Sequence, residues 1–311
     1  MSEPLRDTVP QESVAERKTV GTESQPTFRA FNPDGPLRVY YRHLPHWRQP
    51  GATYFVTFRQ ADSIPKAVLA EWLDVRQRWY HAHGLDPEWI KNDPDRFAAA
   101  YQRILPGVRL AFERQQARFL HEELDRAHGS CVLRHASPRQ ELIESLSHFH
   151  AARGWLGDYV VMPNHVHALI QPIDGWELED LLGSIKKWTS RRIGVWLIEH
   201  LDAITMDCPQ YERDRFWQQE SYDRIVRDAE ELSWFRQYIA RNPTEAHVPP
   251  GEFHYAAAAW LDEFAPRVQR RLGLSPDRSE TNRKVGTESQ PTEFGGRFVS
   301  RHRVEQRHPV A

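Results

Sequence analysis

Two imidazoles set two residues apart are the first chemistry this chain offers. They sit in Val160-Val161-Met162-Pro163-Asn164-His165-Val166-His167-Ala168-Leu169-Ile170, an apolar, β-prone run opened by a Pro-Asn turn. Residues i and i+2 of a strand share a face, so His165 and His167 point one way while Val166 and Ala168 point the other, into a core. Two same-face imidazoles form one edge of a metal site, neutral histidine being the commonest nitrogen ligand. A bare His-x-His is also what two hydrogen-bonded strand histidines look like, so the rest of the chain must decide.

The second candidate is Tyr222, in Phe216-Trp217-Gln218-Gln219-Glu220-Ser221-Tyr222-Asp223-Arg224-Ile225-Val226-Arg227. Two histidines are too few to hold a divalent cation, and Gln218, Glu220 and Asp223 are oxygen donors that could supply a third ligand. A metal with open positions can bind a phosphate oxygen and offset its charge during attack. Water as the attacker makes a hydrolase, and a tyrosine makes a covalent intermediate. A phenol, with an ordinary pKa of about 10, needs a metal, cation or base beside it to ionise. The plainer reading of Tyr222 is a half-buried loop anchor. Lys186, Lys187, Arg191 and Arg192 cluster without an intervening acid. They read as a solvated helix face or as contacts to backbone phosphates, with Arg224 and Arg227 as further candidates. Trp217 is a core residue or a platform for an unpaired base.

The elements that must position these groups can be read by period and punctuation. Residues 52–59 alternate β-branched and aromatic side chains, a strand. Pro65 opens a helix to about residue 80. Asp93-Pro94 starts a mostly helical stretch to about residue 127, broken at Leu105-Pro106-Gly107, and Ser137-Pro138 caps the next helix. Residues 155–161 and 165–171 form an antiparallel hairpin. Residues 176–198 and 228–241 are helical, the last stopped by Asn242-Pro243. Strands interleaved with helices predict an α+β fold, a central antiparallel sheet of split β-α-β type.

Composition sets the bounds. The 311 residues carry a formal net charge of -2, so no global basic field announces nucleic acid, and any such surface must be local. Cys131 and Cys208 make neither a disulfide framework nor a zinc site. The N-terminus has no apolar signal region and no run approaches membrane-spanning length, predicting a soluble, cytoplasmic protein without a membrane partner. Residues 1–37 and 249–311 are expected to be a disordered arm and a mostly disordered tail, the compositional change falling near Pro266.

Three blocks in order resemble the single-tyrosine HUH transposases, where U is a bulky apolar residue, and within them the REP-associated branch. They are Leu44-Pro45-His46-Trp47 with Ala52-Thr53-Tyr54-Phe55-Val56-Thr57-Phe58-Arg59, then Met162-Pro163-Asn164-His165-Val166-His167, then Phe216 to Asp228 followed by Tyr238-Ile239 and Asn242-Pro243. The resemblance implies a ferredoxin-like (RRM-like) core flanked by helices over about residues 38–248, with His165 and His167 binding Mg²⁺ or Mn²⁺. It also implies that Tyr222 attacks single-stranded DNA beside a hairpin, leaving a 5′-phosphotyrosine and a free 3′-OH. Such an enzyme works as a monomer or homodimer at the nucleoid. Two departures stand out. Val226 occupies a position where some relatives have a third metal ligand, and the helical insert of about residues 93–127 reads as a structural elaboration. A hairpin-DNA binder without cleavage, or a phosphodiesterase using water, are the alternatives.

Val20-Gly21-Thr22-Glu23-Ser24-Gln25-Pro26-Thr27 recurs as Val285-Gly286-Thr287-Glu288-Ser289-Gln290-Pro291-Thr292. The codons GTT GGG ACT GAG TCC CAA C encode it up to the first base of proline and form an inverted repeat, so both copies are read as translated palindromic elements of the type such enzymes recognise. An ordinary duplicated peptide is the alternative.

Overall fold

The computed structural model describes residues 26–41, 45–207 and 215–265. Most of both copies of the repeat, and Cys208, lie outside the described residues. The chain opens with a two-stranded hairpin, β1 (Arg38–Tyr41) and β2 (Pro45–Arg48), then β3 (Tyr54–Arg59). Helices α1 (Lys66–Ala82), α2 (Trp89–Asn92), α3 (Pro94–Arg103), α4 (Pro106–Asp125) and α5 (Ala136–Phe149) follow. Next come β4 (Gly154–Val161), β5 (His165–Pro172), α6 (Leu178–Asp207), β6 (Tyr222–Ile225), α7 (Ala229–Glu245) and β7 (His254–Ala256). The fold is α+β: β3 to β7 form one five-stranded antiparallel sheet in the order β6-β3-β5-β4-β7.

Both faces of this sheet are covered, so β3 and β5 are buried along their whole length. Alternation sorts their side chains. Tyr54, Val56, Phe58, Val166, Ala168 and Ile170 join a core with α5 and α6. Phe55 and Leu169 face the opposite side, packing with Phe235 and Ile239 of α7. The imidazoles of His165 and His167 belong to that second side, and Val166 and Ala168 to the first, as the period of two requires.

A bulge in β4 sets two residues, Gly157 and Asp158, against one on β5. Gly157 has no room for a side chain, because a Cβ there would stand 2.7 Å from that of Leu169. Asp158 is fully buried and is held by Arg236 of α7 at 3.0 and 3.1 Å. This buried pair fixes α7 across the sheet, two residues before Tyr238.

Several boundaries differ from the sequence expectation. Residues 26–37 are not a free arm: Phe31 N–H donates to the Val226 carbonyl and Thr53 N–H to that of Arg29, both at 2.8 Å. The attachment is made by backbone and by two isolated aromatics, Phe28 and Phe31, which pack against the cores on either side of the sheet and are too few to make a readable period. The folded chain also runs past residue 248, with β7 pairing to β4 and Leu261 and Ala265 buried. Pro243 does not stop α7 but lies within its last turn, where only one i−4 hydrogen bond is forfeited. Asp93 caps α3 as expected, accepting from Arg96 N–H at 3.2 Å. Ser137 and Pro138 instead fall inside α5, which starts from His135 without a side-chain cap.

The stretch from Asp93 to Ala127 is more than an elaboration. Its N-terminal half packs Phe97, Tyr101 and Phe112 into an aromatic cluster with Tyr80 of α1. The C-terminal half of α4 seats Leu120 and Leu124 beside Tyr222, and this lowers His121 and Asp125 onto the histidine face of the sheet.

Candidate metal centre and its tyrosines

His165 opens β5 directly after the Pro163-Asn164 turn, whose Met162 N–H donates to the His165 carbonyl at 2.8 Å. Its Nδ1–H donates to the side-chain oxygen of Asn164 at 2.7 Å. His167 Nδ1 is hydrogen-bonded to Thr57 Oγ1 on β3 at 2.8 Å. These bonds orient the rings and turn the remaining nitrogens together, the two Nε2 atoms standing 3.0 Å apart. Burial, and then the other imidazoles, lowers His165 to about 3 and His167 well below its ordinary value. Neither ring takes up a second proton near neutrality, so each is a neutral imidazole able to offer a lone pair to a cation.

The third member is Asp125, at the end of α4. One ligand atom from each of Asp125, His165 and His167 lies within 4.8 Å of the others. Burial, with Glu245 and Glu122 adding to it, raises Asp125 to about 6 despite the hydrogen bond from Asn242. Asn242 Nδ2 donates to Asp125 Oδ1 at 2.8 Å, and Asn242 Oδ1 is buried with no hydrogen-bond partner. The residues fit a divalent cation. Two nitrogens about 2.1 Å from one ion and at right angles stand about 3 Å apart, and a carboxylate with an orphaned amide oxygen nearby completes an oxygen-rich side.

The hydroxyl of Tyr238 is 3.3 Å from His167 Nε2, and Asn242 Nδ2 is 3.5 Å from the same hydroxyl. Burial, then Asp125 and Glu245, pushes this phenol above its ordinary pKa of 10, so it ionises only with positive charge beside it. His121 stacks on Tyr238 with ring centroids 5.5 Å apart and meets His167 edge-on at 5.3 Å. Burial lowers His121 to about 4, leaving it neutral.

Tyr222 lies in the same row of the sheet, opposite Thr57, which is opposite His167 on its other side. Its ring meets His121 edge-on at 5.3 Å, and burial raises its phenol to about 12, with Arg224 opposing. Two strand spacings separate it from His167, so the phenol the structure sets against the imidazole pair is Tyr238. Two of the oxygen donors expected from the Tyr222 segment, Glu220 and Asp223, are committed elsewhere. His46 bonds Asp223 at 2.6 Å and Glu220 at 3.0 Å, while Arg48 clasps Asp223 at 2.5 and 3.0 Å. Gln218 is held by its backbone, N–H to the Arg59 carbonyl and C=O from Lys186.

The basic residues divide. Lys186 donates to the carbonyls of Gln218 and Gln219 and to Ser221 Oγ, stitching the Tyr222 segment to α6. Arg192 is exposed and forms a two-pronged pair with Glu141, and Arg224 pairs with Glu231. Lys187, Arg191 and Arg227 have exposed side chains. Trp217 is a core residue, 3 % exposed, its Nε1–H donating to Thr189 at 2.8 Å.

Asp125, His121, Tyr238 and Asn242 carry no signal as single residues. Each pair is spaced i, i+4 on its helix, so each projects from one helical face, and that spacing was the readable clue. No helix among the described residues is long and apolar enough to cross a membrane. No protein-family model matches the chain, and no curated protein does. Among solved structures the chain is similar to a REP-associated tyrosine transposase bound to a REP hairpin, at 13 % identity, over 66 % of this chain and 72 % of that one, with a TM-score of 0.30.

Proposed function

We propose that this protein is a metal-dependent endonuclease and strand transferase of the single-tyrosine HUH type, acting on single-stranded DNA beside a hairpin. The observation that carries it is a phenol hydroxyl 3.3 Å from one of two buried imidazoles that share a ligand-like cluster with a carboxylate. Supporting it are the His-Val-His signature and the strand arrangement. Taken in chain order, β3, β4, β5 and β6 lie as β6-β3-β5-β4, with helices before β4 and α6 before β6, the plan of a split β-α-β core.

His165, His167 and Asp125 would hold Mg²⁺ or Mn²⁺, with Asn242 Oδ1 available as a further donor. Bound there, the cation supplies charge neutralisation at a phosphate oxygen. Tyr238 is the nucleophile: its phenol proton is lost to solvent as its oxygen attacks phosphorus, the P–O3′ bond breaks, and the departing 3′ oxygen takes up a proton. The products are a 5′-phosphotyrosine and a free 3′-OH, a linkage that a DNA 3′-OH can later reverse. Asn242 orients the hydroxyl, and His121 stacks on the ring.

Incubation of the protein with single-stranded hairpin DNA and Mn²⁺, followed by a denaturing gel, tests the reading. A protein–DNA adduct is expected. Cleavage without an adduct assigns the attack to water, and binding without cleavage leaves a hairpin-binding protein. Tyr222 is the second candidate nucleophile, favoured by its place in the same sheet row as His167.

A further inference from the structure

A cavity of about 90 Å³ opens between β3, α1, α4 and the Tyr222 segment, with Thr57, Arg59, Leu120, Glu220 and Ser221 among its walls. One water needs about 10–15 Å³ of such room, and small-molecule sites run to about 300–1,000 Å³. The space therefore suits a group the size of a phosphate and not a nucleobase. Arg59 is 7 % exposed, yet among the described residues no carboxylate forms an ion pair with it. Its Nη1 donates to Ser63 Oγ at 3.1 Å and to the Gln60 carbonyl at 3.3 Å, while Nε and Nη2 make no hydrogen bond among those residues. These two nitrogens are not sealed in the interior, as the unpartnered atoms of Trp72 and Gln116 are.

Glu220 and Asp62 act on Arg59 only at longer range. Both are engaged elsewhere: Glu220 is bonded to His46 at 3.0 Å, and Asp62 accepts from Ser130 N–H at 2.8 Å. Glu220 shares the wall, but the proton that His46 holds offsets its charge. Burial lowers Arg59 to about 10, which still leaves it charged near neutrality. A buried charge without a partner is costly, and the arginine fork matches the oxygens of a phosphate. Ser221 adds a second donor on the same lining: its Oγ accepts from Lys186 at 2.7 Å, which leaves its hydrogen to donate. Arg59 also stands opposite His165 in the β3–β5 register, and Thr57 of the same wall is bonded to His167. The cavity therefore adjoins the proposed metal centre.

We propose that this cavity is a backbone-phosphate subsite. Arg59, with the Ser221 hydroxyl, holds a phosphate of the single strand beside the one that is cleaved. Arg59 fixes the path of the strand past the metal centre and is a positioning residue. DNA as the source of the phosphate rests on the cleavage reading above; the demand for a phosphate-sized anion rests on Arg59 and Ser221.

The test uses full-length protein with two probes: inorganic phosphate, and single-stranded hairpin DNA carrying one uncharged methylphosphonate at each linkage in turn. In metal-free buffer, inorganic phosphate should bind saturably, read by ³¹P NMR line broadening, and Arg59→Gln should abolish the broadening. On the DNA, one methylphosphonate flanking the cleavage position should weaken binding to the wild type about ten-fold or more. The same linkage should change binding to Arg59→Gln by less than about two-fold, since the two losses are one interaction. If Arg59→Gln does not fold, Ser221→Ala replaces it, with a smaller but measurable loss of both effects. Absence of saturable phosphate binding by the wild type up to roughly 50 mM, or linkage effects identical in wild type and variant, overturns the subsite. Phosphate binding that is lost in Arg59→Gln, in a protein that fails to cleave hairpin DNA, keeps the subsite and removes the nuclease reading. Cleavage with linkage effects identical in both proteins does the reverse.

Discussion

Tyr238 and His167 meet hydroxyl to Nε2 at 3.3 Å, across the interface between α7 and β5. That contact sets the proposed nucleophile against the proposed metal centre. It also separates the two tyrosines experimentally. Tyr238→Phe should abolish the covalent DNA adduct, with a loss of at least about 1,000-fold in cleavage. Tyr222→Phe should retain the adduct and lose no more than about ten-fold. Mapping the phosphotyrosine by peptide mass spectrometry checks the assignment, and an adduct on Tyr222 would reverse it.

Asp125→Asn keeps the shape of the third ligand and removes its charge. Mn²⁺ affinity, measured by calorimetry or by electron paramagnetic resonance, should fall about 10–100-fold. Asn242→Ala frees the Asp125 carboxylate from its 2.8 Å donor and should weaken Mn²⁺ binding less. An affinity unchanged in Asp125→Asn would place the cation elsewhere.

Stability should depend on alkaline pH through His46. Burial acts to lower its pKa, but hydrogen bonds to Asp223 and Glu220 outweigh it and raise it to about 9. A raised histidine contributes stability that is complete below its unfolded value of about 6.5 and is lost as pH climbs through 9. The contribution is at most about 3 kcal/mol. Thermal melts between pH 6 and 10 should show a steady fall that His46→Gln flattens, while a wild-type curve level across that range would contradict the assignment.

Lys186 and its neighbours should behave differently. Lys186→Met removes the donor of three bonds to the Tyr222 segment and should cost about 1–3 kcal/mol without altering the salt dependence of DNA binding. Lys187→Ala with Arg191→Ala should leave stability intact and flatten the slope of log affinity against log salt by about 0.7 per lost phosphate contact. A sequence-selective loss in the latter would mean base reading instead.

Three strands of the sheet, β3, β4 and β5, were legible from their β-branched and aromatic runs and the Pro163-Asn164 turn, while β6 and β7, four and three residues long, were not. The imidazole pair was legible for the same reason. Asp125 and His121 were not, because they arrive from a helix that ends 29 residues before the hairpin and nothing local marks them. Tyr238 and Asn242 were in view, yet the Asn-Pro pair read as a helix stop rather than as the last turn of α7. Glu220 and Asp223 looked like ligands because their partners, His46 and Arg48, lie over 170 residues away. In each case the missing information was tertiary: which helix lands on which strand.

The bond between Asn242 and Asp125 spans 117 residues of chain. Asp125 is therefore synthesised long before Asn242, and the cluster of carboxylate, imidazoles and amide cannot be complete until α7, which ends at Glu245, has been made.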